Sequence, residues 1–107
     1  MTSEQVTAHG FAICEKPERY IQQLVSHWSH KMAATYDEGD GMGNFPFSVT
    51  TNATMCAHEK GIEIALTTAD VEENQRMRGI IEAHLDRFAF REAPLDYSWE
   101  ASQPAAG

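Results

Sequence analysis

Positive charge is scarce in this chain: eight Lys and Arg stand against sixteen Asp and Glu, a formal net charge of −8 over 107 residues. A nucleic-acid backbone or an anionic membrane surface recruits a basic face, and these few, scattered cations do not supply one. Cysteine is scarce too. Cys14 and Cys56 lie far apart and form no C-x-x-C, so the redox and zinc-knuckle spacings are absent and two reduced, half-buried thiols are expected. No apolar run approaches the roughly 20 residues of a membrane span. The opening Met1-Thr2-Ser3-Glu4-Gln5 lacks the basic and apolar regions of a secretion signal. Neither G-x-S-x-G, nor a phosphate-binding loop, nor the metalloprotease pattern H-E-x-x-H occurs. These absences point to a small, acidic, cytoplasmic domain with neither nucleic acid nor membrane as its partner.

What is there reads as one globular domain over residues 1–100, followed by a flexible small-residue tail at 101–107. Val6 to Ile13 alternates as a strand. Pro17 opens a helix running to about Met32, on which Tyr20, Ile21, Leu24, Val25, Trp28 and Met32 form one apolar stripe. A glycine-bearing turn at Asp37–Gly41 separates a short strand near Tyr36 from one over about Met42 to Val49. Asn52–His58 and Ile62–Thr68 then pair across Glu59-Lys60-Gly61. Asp70, with Glu73 three residues on, caps a second helix whose stripe is Met77, Ile80, Ile81, His84, Leu85 and Phe88. Leu95 to Trp99 supplies a last edge strand. The order β-α-β-β-β-β-α(-β) predicts an α+β two-layer sandwich, an antiparallel sheet with two helices on one face. Its other face is left open, so a homodimer or a protein partner is expected to cover it.

Chemistry-bearing residues concentrate on the two helices. His27 and His30 lie three apart in Ser26-His27-Trp28-Ser29-His30-Lys31, which puts both on one flank of the first helix, with Gln23 on the same side. His84 lies in the stripe of the second helix and is expected to face inward toward them. Three imidazoles converging there would suit a divalent metal such as zinc or iron. Arg87, in His84-Leu85-Asp86-Arg87-Phe88-Ala89-Phe90-Arg91-Glu92, adds a group able to clamp a carboxylate. The candidate ligand-binding set is therefore Gln23, His27, His30, His84 and Arg87, with His27, His30 and His84 as the candidate metal ligands.

The segments Pro17-Glu18-Arg19-Tyr20-Ile21-Gln22-Gln23-Leu24, Ser26 to Lys31 and His84 to Glu92 resemble the bacterial domain of unknown function 2218 family, in the same order and over roughly Thr7 to Trp99. The family has no assigned activity. Its members occur beside, or joined to, siderophore-uptake and siderophore-interacting proteins, so the resemblance implies a setting in iron metabolism. The element order also resembles the TATA-binding-protein-like folds, an analogy that carries no function. Three functions follow as expectations: a module binding a ligand or metal between helix and sheet, an interaction or dimerisation domain, and a small histidine-dependent enzyme.

Overall fold

The computed structural model of the chain describes residues 5–102. Its elements run β1 (Val6–Ile13), α1 (Pro17–Trp28), β2 (Thr35–Asp37), β3 (Met42–Pro46), β4 (Asn52–His58), β5 (Gly61–Thr68), α2 (Val71–Phe88) and β6 (Asp96–Ser102). The expected order is thus present, last strand included. The strands form one sheet in the order β2-β3-β4-β5-β1-β6, every pair antiparallel. From residue 103 on, the expected tail lies outside the described residues, and β6 runs through the tail's first two positions.

Alternation decides which face is covered. Across the register, Ala8 faces Leu66, which faces Ala53, which faces Phe45, and all four are fully buried. Ile62, Ile64 and Met55 continue this layer, onto which Ile21, Leu24 and Trp28 of α1 and Met77, Ile81 and Leu85 of α2 pack as one core. Each such side chain contributes about 1.5–3 kcal/mol by leaving water. Glycines mark the closest approaches, and a Cβ on Gly61 would run into the Ala12 carbonyl oxygen. A Cβ on Gly10 would lie 2.7 Å from the Trp99 ring, and one on Gly43 would lie 2.7 Å from Ile21 Cγ2. No larger residue fits there without moving its neighbour.

Three sequence expectations change. The first is the end of β3, which stops at Pro46 and not near Val49. The α1 ladder stops at Trp28 instead of Met32. The Ser29 hydroxyl donates to the Ser26 carbonyl at 3.0 Å, a side-chain bond that competes with helix continuation. The Trp28 carbonyl accepts from both Lys31 and Met32 as the chain turns toward β2. On α2, Asp70 caps the Glu73 amide at 2.8 Å as expected. There, however, Met77, Ile81 and Leu85 share the buried stripe with a polar residue, Asn74. Its amide donates to the carbonyls of Val6 and Leu66 and its oxygen accepts from Arg78, so it is fully partnered.

β6 is strapped to α2 from the side. The Trp99 indole donates to Glu82 at 2.7 Å and the Tyr97 hydroxyl donates to Asp86 at 2.9 Å. The uncovered sheet face carries Thr7, His9, Phe11, Asn52, Thr54, Glu63, Ala65 and Thr67, with Ile13 and Met42 exposed at its margins. No helix among the described residues is long and apolar enough to cross a membrane.

Candidate functional site

α1 and α2 lie side by side over the sheet, and the seam between them holds the residues singled out by the sequence. His27, one turn after Gln23, sits against α2 with its ring centroid 5.4 Å from His84 and 5.6 Å from Phe88. The His84 ring in turn lies 4.8 Å from that of Trp28. This stack closes the middle of the seam and leaves a hollow at each end.

The histidines play unequal parts. His84 Nδ1 donates to the Ile80 carbonyl at 2.8 Å, the usual outlet for a half-buried helical imidazole. It sits at the flank of the α2 stripe, not in its buried centre. His27 is half-buried, and its pKa is lowered from 6.5 by desolvation first and then by His84, Arg87, Lys31 and His30. His30 does not join them. Because α1 ends at Trp28, His30 falls in the turn beyond and is exposed, so the three-apart spacing no longer sets a common flank. Among the described residues no three His, Cys, Asp or Glu side chains are grouped so as to hold a metal ion. The pair His27–His84 forms; the three-histidine centre does not.

The hollow at the Gln23 end is a basin of about 610 Å³. One wall is Lys16, Arg19, Tyr20 and Gln23 from the start of α1, and the other is Phe88 to Glu92, where the chain leaves α2. Glu92 fastens the walls together. It accepts from the Tyr20 hydroxyl at 2.6 Å and from the Glu15 amide at 3.0 Å. That bond, with burial, pushes the Tyr20 phenol up to about 12. Cys14 beneath is buried, and desolvation plus the Glu92 charge push its thiol up to about 11, so it stays protonated and unreactive. Cys56 is also free.

Three cations line this basin, Lys16, Arg19 and Arg91, in a chain holding eight against sixteen acids. None is paired: the ion pairs among the described residues are His58–Glu63 and Arg76–Glu73. Two acids, Glu15 and Glu92, line it as well, and Glu92 accepts from the Tyr20 hydroxyl and the Glu15 amide, so the lining carries one net positive charge. Between the walls, Gln23 Oε1 is fully buried and has no hydrogen-bond donor, alone in this among buried side-chain polar atoms of the described residues. An unpaired buried acceptor costs about 1–3 kcal/mol. Phe90, 70% exposed, stands at the rim with the Arg91 guanidinium 5.8 Å from its ring centroid.

Of the residues read from the sequence, Gln23 lines the basin, His27 and His84 close it off, and Arg87 is exposed and outside it. Arg91 takes the place expected for Arg87. The helix ends at Phe88, and the turn that follows swings Arg91, not Arg87, over α1. Arg19 and Lys16 carried no signal of a site in the sequence, since the facing wall of the basin lies about seventy positions away.

Residues 11–100 match the family described as uncharacterised proteins conserved in bacteria, DUF2218. The chain belongs to that family. A similar solved structure is the NMR structure of PA4090 from Pseudomonas aeruginosa, 25% identical, covering 91% of this chain and 95% of that one with a TM-score of 0.69. The family likeness and the shared fold agree with the α+β architecture and assign no activity. No curated protein matches the chain.

Proposed function

We propose that this family member is a small-ligand-binding module, and that its ligand is an organic anion bearing an N–H or O–H donor, held in the basin between α1 and the Phe88–Glu92 segment. The observation that carries this is the Gln23 oxygen. It is buried, unpaired and placed among three unspent cations, a combination that folding alone gives no reason to keep. A bound anion would take Arg19 and Arg91 as donors, and a rotation of the Gln23 amide into the basin would bring its oxygen to the ligand's own donor. Phe90 gives an aromatic ligand a face to lie on.

The histidine-dependent enzyme gains less support. His84 bonds only a backbone carbonyl, and no carboxylate or hydroxyl orients His27 among the described residues. The uncovered sheet face favours a homodimer no more, because threonines, asparagines and a glutamate dominate it.

Calorimetric titration with 4-hydroxybenzoate tests the proposal, because that molecule joins a carboxylate, an aromatic ring and a hydroxyl donor. Saturable binding that weakens at least tenfold in both Arg19→Ala and Arg91→Ala is expected. Binding unaffected by either change, or no binding at millimolar ligand, contradicts it.

A further inference from the structure

We propose that the hollow at the other end of the seam is a second binding site, one that takes the carboxylate of a small apolar acid. It measures about 400 Å³, within the ~300–1,000 Å³ range of small-molecule pockets. Met32 from beyond α1, Phe47 from the β3–β4 connection, and Met77 and Ile80 from α2 give it an apolar lining, with Trp28 and Thr51 between them.

Trp28 and Thr51 are 4% and 3% exposed. Residues so deeply buried ordinarily spend their polar hydrogens within the protein. Here neither the indole N–H nor the hydroxyl meets a partner among the described residues, although Thr51's own backbone is engaged with Ser48. Neither atom is sealed, since the fully buried unpaired polar atom among the described side chains is Gln23 Oε1. Both therefore retain contact with open space, and the hollow is the cavity that both residues line. Two donors, one from the end of α1 and one from the β3–β4 connection, thus border one cavity whose apolar wall is Met32, Phe47, Met77 and Ile80.

The indole is also held still. Phe45 and Phe47 meet it edge-on at 5.4 and 5.0 Å, and His84 lies against it at 4.8 Å. A donor fixed in this way loses little entropy on binding. Charge selects the acceptor. Lys31 at the rim forms no ion pair, while Arg76 and Glu73 neutralise each other through two bonds of 3.0 and 2.7 Å. One free cation and two neutral donors match a singly charged, planar carboxylate better than a phosphate, which calls for more positive charge. The apolar lining, with its two flexible methionines, receives the rest of the molecule.

Titration of the ¹⁵N-labelled protein with 2-naphthoate, followed through the two indole N–H resonances, tests this site. Trp99→Phe assigns them, since it removes one. The Trp28 resonance is expected to move downfield and saturate while the Trp99 resonance, already bonded to Glu82, stays in place. Thr51→Val, which keeps the shape and removes the hydroxyl, should weaken binding about tenfold with the spectrum otherwise folded. Lys31→Met should weaken it severalfold, and Arg19→Ala, at the opposite end of the seam, should leave it unchanged. A Trp28 resonance that does not move at millimolar 2-naphthoate overturns the proposal, as does full affinity in Thr51→Val or a loss in Arg19→Ala that matches it.

Discussion

The two ends of the α1–α2 seam share the same pair of helices and differ in nearly everything else. At the Gln23 end, Lys16, Arg19, Tyr20 and Gln23 face the polar chain segment that follows α2, and the walls are tied by hydrogen bonds through Glu92. At the Trp28 end, aromatic and methionine side chains face one another, and packing holds the walls. Both ends leave polar atoms unspent: an acceptor among cations in one, two donors on an apolar floor in the other. The His27–His84–Phe88 stack keeps them apart. Two helices laid across one sheet face can thus carry two hollows of opposite character, because the flanks of each helix change chemistry along its length while the buried stripe does not.

The largest effect expected from breaking this contrast is at Trp28, which is both wall and core. Trp28→Ala should cost about 3–5 kcal/mol in urea unfolding. A loss below about 1 kcal/mol would mean that the apolar end is not held by packing. At the polar end the corresponding change is milder. Tyr20→Phe removes the bond to a partly exposed Glu92 and keeps the ring in the core, so about 1 kcal/mol is expected. Equal losses for the two variants would erase the distinction between the ends.

The stack between them should respond to pH. Folding lowers the His27 pKa, through desolvation and then the neighbouring cations, so the unfolded chain takes up a proton that the folded chain resists. This contribution to stability is intact above the unfolded value of 6.5 and is lost as pH falls through it toward the folded value. Urea midpoints at pH 7.5 and 5.5 should show the wild type weakening at the lower pH and His27→Gln weakening less. An unchanged pH slope in His27→Gln would place the proton uptake elsewhere.

The fold was far more legible in the sequence than the sites. Alternation in Ile62–Thr68 and the helical stripe of Tyr20, Leu24 and Trp28 are local signals that burial enforces, and the strands and helices stand where those signals lie. Ser26 to Lys31 misled because helix propensity continues past Trp28, whereas the need to turn into β2 does not show in local spacing. The basin was half legible. Gln23 and His27 could be read from one helix face, but Arg19 shares a basin with Arg91, and Tyr20 meets Glu92, only through the tertiary fold. Trp28 reads as a core residue, and it is, whereas nothing in the sequence marks Thr51, which is also buried. Their unspent polar hydrogens appear only when every buried donor is matched to an acceptor.

The most direct test of the account is to change Gln23 to Leu and measure stability and ligand affinity on the same protein. Removing an unpaired buried acceptor relieves its cost, so the urea midpoint should hold or rise. Binding of 4-hydroxybenzoate should weaken about tenfold and become indistinguishable from that of 4-methylbenzoate, which lacks the hydroxyl donor. A destabilisation above about 1 kcal/mol with undiminished preference for the hydroxyl compound would show that Gln23 holds the fold together and does not hold a ligand.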